Sequence, residues 1–277
     1  MNEVTRKKKN EVSTKVVDFT SPEFAGAGLE NVGSGELAIP FLKIASAQSP
    51  EMKKNNPKFI EGMQQGNIFN SVTRDYYDSI KVIPCFFRVR GIEWMPLGEG
   101  TGAPVKIWKP EEIPPLERGI DGEDHYMIDG KPSESYIERT AEYFVLMVKE
   151  DGSLEKATIT MKKTQFKKSR YWNTTMANQK IESKDGKMLT LPSFANVYTM
   201  QGVQEANSKN DWWGWKIDLH KSVNDYPNAS YIVNEANTFK ELVKSGEIDP
   251  APETQDDPVS DMKTVKPSQD DLVLGSS

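Results

Sequence analysis

The chain holds one cysteine and two histidines in 277 residues, and that scarcity removes several chemistries at once. Cys85 has no second thiol for an intrachain disulfide, and within the apolar run VIPCFF it reads as a buried thiol. With only His125 and His220 beside it, no Cys/His group stands at zinc spacing, so neither a structural metal nor a cofactor is expected. No run approaches the roughly 18 apolar residues of a membrane span. The opening MNEVTRKKKNEVSTK also lacks the apolar segment of a signal peptide, so a cytoplasmic protein away from membranes is expected. The glycine-rich GEGTGAP at 98–104 lacks the lysine and Ser/Thr of a phosphate-binding loop and reads as a plain loop.

What is present is aromatic side chains and unevenly placed charge. The chain is 36% apolar with mean hydropathy −0.62, yet it carries 11 Phe, 9 Tyr and 6 Trp, more than a disordered chain would. A folded middle with polar ends follows. Residues 1–35, with an RKKK run and the glycine-rich GAGLENVGSGE, read as a flexible arm; 36–246 read as one domain; 247–277 read as a disordered acidic tail. The tail has eight acidic residues against Lys263 and Lys266, which equals the whole net charge of −6. Residues 156–187 instead carry nine basic residues against Glu182 and Asp185, a net of +7. The chain is polarised, with a positive centre and a negative end.

The element pattern is strand-rich. In DSIKVIPCFFRVRGIEWMP, alternation sets Ile83, Cys85, Phe87 and Val89 on one face of a strand and Arg88 and Arg90 on the other. YIERTAEYFVLMVKE and SLEKATITM flank a turn at Asp151-Gly152 and predict a hairpin. SFANVYTMQGV and SKNDWWGWKIDL predict two further strands, and NEANTFKELVKSGEI predicts a helix that stops at Gly246. Between them MKKTQFKKSRYWN reads as a helix, with Met161, Trp172 and Met176 on one side and Lys163, Lys167 and Arg170 on the other. The order suits a mostly β or α+β domain, barrel-like, with one or two helices and long loops.

Single-stranded nucleic acid is held by a cationic track along the backbone and by aromatic faces under the bases. Both ingredients sit in KKTQFKKSRYW, and more thinly in FFRVRGIEW and WWGWK. Lys162, Lys163, Lys167, Lys168 and Arg170 are therefore expected on phosphates, Arg88, Arg90 and Lys216 along the same track, and Tyr171, Phe166 and Trp212 under bases. Trp172, at helical spacing from two methionines, reads as core. An enzyme is not expected. The pairs Glu51-x-Lys53 and Glu182-x-Lys184 resemble half of a metal-dependent nuclease motif, but no strand-borne aspartate precedes either. A non-catalytic scaffold whose basic helix meets an acidic protein surface is the alternative.

IPFLKIASAQSPEM, KFIEGMQQGNIFNSVTRDYYDSIKVIPCFFRVRGIEW, and MKKTQFKKSRYWN with LPSFANVYTM together resemble the single-stranded DNA-binding proteins that tailed bacteriophages encode for replication and recombination. The resemblance spans about 36–246. It implies an OB-type β-barrel core, binding of single-stranded DNA without sequence preference in the host cytoplasm, and an acidic tail that contacts polymerase or helicase and competes for the groove. A homo-oligomer is compatible with it. This chain ends LVLGSS, whereas the better-known phage proteins end in an aromatic residue.

Overall fold

The computed structural model describes residues 27–30, 33, 38–208 and 210–250. The chain divides into Met1–Leu37 and Ala38–Ser277. Of the first unit only a turn is described, closed by the Gly28 N–H on Glu30 Oε1 at 2.9 Å. Most of the expected arm, and the acidic segment from 251 on, lie outside the described residues.

The second unit opens with a small antiparallel sheet of β1 (Leu42–Ile44), β2 (Ile68–Asn70) and β3 (Tyr76–Tyr77). The long strand β4 (Ser79–Trp94) follows, then β5 (Lys106–Trp108) and two miniature hairpins, β6 (Glu117–Arg118) with β7 (Asp124–His125) and β8 (Met127–Ile128) with β9 (Lys131–Pro132). β10 (Tyr136–Val148) and β11 (Leu154–Lys162) form the hairpin expected around Asp151-Gly152, and Gly152 sits at φ +82°, a conformation glycine adopts without strain. Then come α1 (Phe166–Ala177), an exposed hairpin of β12 (Lys180–Glu182) and β13 (Met188–Thr190), the long hairpin of β14 (Asn196–Ala206) and β15 (Asp211–Ser222), and α2 (Ala229–Ser245).

The main sheet runs β11-β10-β4-β14-β15 with β5 added to β4, every pairing antiparallel. Both faces are covered, and β10 shows how. Its Ala141, Tyr143, Val145 and Met147 point to one side, against β1, β2 and the Trp172 of α1. Phe144 and Leu146 point to the other, against α2. Ile232, Ala236, Phe239 and Val243 form the buried stripe of α2 at helical spacing. Burying each large apolar side chain there contributes about 1.5–3 kcal/mol. Gly246, left-handed at φ +80°, ends the helix as the sequence predicted.

Two features depart from expectation. Among the described residues the sheet does not close into a barrel, because β11 and β15 remain its two edges. A single parallel bridge, Phe41 to Thr158, ties the small sheet to the β11 edge. The second departure lies within β4. Its partners in β10 step from Pro84 opposite Val145 to Phe86 opposite Phe144, so Cys85 is an extra residue, a β-bulge. The bulge resets alternation, and Ile83 and Cys85 pack toward α2 while Phe87, two residues on, stacks at 4.9 Å on Tyr143 across the sheet. The uniform face of Ile83, Cys85, Phe87 and Val89 is thus split.

Candidate nucleic-acid interface

β11 delivers the chain into α1 through a tight turn in which Lys163 holds φ +47°, a left-handed conformation that costs a lysine about 1 kcal/mol. Two side chains at the start of the helix offset that cost. Gln165 Oε1 accepts the Trp215 backbone N–H at 3.0 Å, and Lys168 Nζ donates to the Trp215 carbonyl at 2.6 Å. Trp215 lies in the edge strand β15, so these two bonds cover part of an otherwise open edge and fix α1 beside it. Trp172 anchors the inner side. It is 3% exposed, with its ring 4.4 Å from Tyr143 and 5.4 Å from Tyr198. The Tyr143 hydroxyl lies within 3.0 Å of the Ser169 carbonyl, the Ser169 Oγ and Asn173 Oδ1, which sets the helix rotation.

With the inner side so fixed, Lys167, Arg170 and Tyr171 face outward. Tyr171 is 61% exposed, and Lys167 Nζ stands 5.7 Å from its ring centre. Arg170 and Arg139 approach the Phe166 ring at 5.3 and 5.5 Å, so guanidinium groups already lie against Phe166. Neither Lys167 nor Arg170 has a carboxylate partner among the described residues.

A groove runs along each flank of α1, and charge distinguishes them. The flank toward β15 is lined by Lys163, Lys167, Lys168, Tyr171 and Trp212, with Glu205 its one carboxylate, in a space of about 760 Å³. Glu205 lies opposite Trp212 in the β14–β15 register and gathers Lys168, the Trp212 Nε1–H at 2.9 Å and Gln165 at 3.4 Å. Burial pushes its carboxyl up, but the bonds and charge of Lys168, with Trp212 and Gln165, hold it below the ordinary carboxylate value. The other flank, about 580 Å³, sets Arg118, Arg139, Lys163 and Arg170 against Asp121, Glu123, Asp124 and Glu138 and is balanced. The β15 flank is the cationic one.

Not every predicted cation reaches this surface. Lys162 is 8% exposed and paired with the equally buried Glu138 at 2.9 Å. Lys163 lies at the groove but is held by Glu123 at 2.9 Å. Arg88 and Arg90 lie on the opposite side of the sheet, both on Glu142, whose side chain is 2% exposed, and both on Asp249 just past α2. Arg88 also covers the Phe144 ring at 4.9 Å, within the α2 layer. These three cations are used for folding, so the track loses them. Asp249 and the buried Ile248 also place the first residues of the expected tail in the ordered domain. Lys216 is half exposed beside Asp218 at 3.2 Å on β15, and Trp212 is half buried.

The residues missed were Glu205, Arg118 and Arg139. Register across the hairpin brings Glu205 to Trp212, which spacing along the chain does not disclose. Arg139 shares a strand face with the buried Ile137 and Ala141 in YIERTAEYF, so period-2 reading groups it with the core and does not disclose its place at the groove. Glu51 and Glu182, from the nuclease-like pairs, lie in a short turn and in the exposed β12, outside both grooves. Among the described residues no three His, Cys, Asp or Glu side chains gather to hold a metal ion, and no helix is long and apolar enough to cross a membrane.

Comparison with curated proteins and with solved structures gives no match. A family model, described as Pam3 phage gp34-like protein, matches residues 7–249, which takes in every strand and helix from β1 to α2 among the described residues. The chain therefore belongs to the Pam3 phage gp34-like protein family.

Proposed function

We propose that this phage protein binds single-stranded DNA without sequence preference, using the outward side of α1 and the groove between α1 and β15. One observation carries the reading: Lys167 and Arg170 stand exposed without carboxylate partners among the described residues, Lys167 with the exposed Tyr171 on the groove toward β15, whose other cations are Lys163 and Lys168 and whose far wall holds Trp212, and Arg170 at the opposite flank of α1. Each phosphate neutralised by such a side chain adds about 0.7 to the salt slope for a single strand, and each stacked base contributes about 1–3 kcal/mol. Tyr171, with its ring open, is the stacking platform; Phe166 supports Arg139 and Arg170; Lys216 extends the track.

An OB-type barrel is one scaffold for such a surface, and an open antiparallel sheet crossed by a basic helix serves the same chemistry. In this reading the protein protects single strands in the host cytoplasm during phage replication or recombination. The acidic segment beyond Pro250 then offers polymerase or helicase a docking point. The alternative is a scaffold whose basic helix docks on an acidic protein.

The test is a tryptophan-fluorescence titration with a homopolymeric single-stranded oligonucleotide at two salt concentrations, with duplex of the same length beside it. Quenching that favours the single strand, weakens with salt, and drops at least tenfold in affinity in the doubly reversed Lys167→Glu/Arg170→Glu variant supports the reading. Equal affinity for duplex, or an unaffected variant, refutes it and moves the weight to a protein partner.

A further inference from the structure

The far end of β15 carries a second group of cations, apart from those of the α1 groove. Register across the sheet sets Lys216 opposite Gln201, and Asp218 opposite Thr199, which in turn lies opposite Lys81 of β4. These side chains share the face opposite the buried Tyr198 and Met200. Further along, β14 steps from Tyr198 opposite Leu219 to Val197 opposite Lys221, so His220 is an extra residue, a β-bulge on the edge strand. His220 and Lys81 are exposed, and Lys221 is half-buried with its Nζ 3.8 Å from the centre of the Tyr226 ring. Among the described residues neither Lys81 nor Lys221 has a carboxylate partner. The carboxylate in the same cross-strand row as Lys81 is Asp218, which pairs with Lys216 at 3.2 Å. Burial lowers the pKa of His220, and Lys81 and Lys221 lower it further; Asp218 and Asp225, on this strand and in the exposed turn after it, do not offset them. Like charges set together repel, so folding gains nothing from this arrangement, whereas an anion from outside the chain does.

We infer that Lys81, His220 and Lys221 form a second phosphate station, and that a single strand leaving the α1 groove crosses the β15 edge at Lys216 to reach it. Lys216 links the two places, since it lines the space between α1 and β15 and also shares a sheet face with Lys81. Asp218 lies along this path, and its pairing with Lys216 neutralises it. From Lys216 to Lys221 the strand runs roughly 15 Å, the length of about five phosphates in a stacked strand. The bulge takes His220 out of the alternation of an edge strand, the position from which a side chain can be re-aimed at a ligand. The Tyr226 ring holds the Lys221 ammonium in place by its π face. His220 gives the station a response to pH. A phosphate beside the ring favours the imidazolium, so binding takes up a proton and tightens as pH falls through the free protein's value, which lies below 6.5. The inference deepens the strand-binding proposal and rests on it.

The experiment titrates the full chain, the double variant Lys81→Gln/Lys221→Gln and His220→Gln with oligothymidylates of about 5 and about 20 nucleotides. The short strand fills the α1 groove alone, and the long one reaches both places. Parental affinity for the short strand shows that a variant has kept its fold. In the double variant the long strand should bind about tenfold more weakly at roughly 0.1 M salt, with a salt slope shallower by about 1.4, while the short strand stays within about twofold of the parent. Between about pH 8 and pH 5.5 the parent's preference for the long strand should grow, by up to about tenfold for each unit by which phosphate raises the His220 pKa, and His220→Gln should abolish that growth. Long-strand binding that the double variant leaves unchanged overturns the station and leaves the α1 groove standing. Equal losses for both lengths also overturn it, because the lysines then act on the groove and not at a place of their own. A parental pH profile in His220→Gln removes the histidine from the site. Binding of neither length by the parent sinks the strand reading and the station with it.

Discussion

Glu142→Gln is the sharpest test of where the arginines of β4 belong. The Glu142 side chain is 2% exposed and receives Arg88 Nε at 2.6 Å and Arg90 Nη2 at 2.6 Å, while the two arginine side chains are 23% and 11% exposed. Burial works against the charge on Arg88, but Glu142 and Asp249 more than offset it and raise its pKa further. Neutralising Glu142 leaves two largely buried cations with Asp249, which is half exposed, as their remaining carboxylate among the described residues. Breaking a buried pair of this kind costs about 3–5 kcal/mol, and the partial rescue by Asp249 places the expectation near 3 kcal/mol. At about 2–4 °C per kcal/mol for a domain of this size, the midpoint should fall by roughly 6–12 °C. Asp249→Asn, which removes the exposed member, should cost no more than about 1 kcal/mol. Urea and thermal melts of both variants measure the difference. Arg90→Gln, studied where it is still folded, should bind an oligothymidylate within twofold of the parent and with the same salt slope. A Glu142→Gln variant as stable as the parent, or a folded Arg90→Gln with a shallower salt slope, would refute the folding role and return the arginines to the binding surface.

Burial pushes the Cys85 thiol up to about 12, so the native protein should resist thiol reagents at pH 8 and label stoichiometrically in urea. Rapid native labelling would show that the bulge opens. Around His125, Nδ1 lies 2.8 and 3.0 Å from the Ser133 and Ser135 carbonyls and Nε2 lies 2.9 Å from Asp121 Oδ2. Burial favours the neutral ring, but these three acceptors outweigh it and raise its pKa above 6.5. A raised folded value stabilises fully below the unfolded value of about 6.5 and is lost as pH rises through the folded value. Melts of the parent should therefore lose stability over that window above 6.5, and His125→Gln should flatten the loss; identical profiles would reject the assignment. A Cβ on Gly202 would meet the Gly66 carbonyl oxygen at 2.2 Å, so Gly202→Ala should destabilise by about 1–3 kcal/mol in a urea melt, and a neutral result would mean that the small sheet can draw back.

Much of the fold was legible because local signals suffice for hairpins and helix ends: Asp151-Gly152 for the β10–β11 turn, Gly246 for the end of α2, and the Trp172–Met176 spacing for the buried side of α1; Met161 and Lys163, expected on the same helix, instead lie in β11 and in the turn after it, so the helix begins later than the sequence suggested. The site was legible only on its outward face. Lys167, Arg170 and Tyr171 are neighbours in one helix, so their exposure follows from periodicity. The fates of Lys162, Arg88 and Arg90 depend on carboxylates 24 to 161 positions away in the chain, which no local window contains. Closure of the sheet was misjudged for a related reason, since it depends on how the end strands meet and not on the strands themselves.

The bulge at Cys85 works as a phase slip in the ribbon. Upstream of it the inward and outward positions of β4 follow one parity, and downstream the opposite one, so one strand can feed Ile83 to one layer and Phe87 to the other while sending Arg88 and Arg90 away from α1. Deleting this one residue would leave the composition almost unchanged and force half the strand to turn over. The arginines would then face the basic helix, or the aliphatic half would leave its layer. One unpaired residue thereby sets which side of the sheet carries paired charge and which side is left to meet an anion.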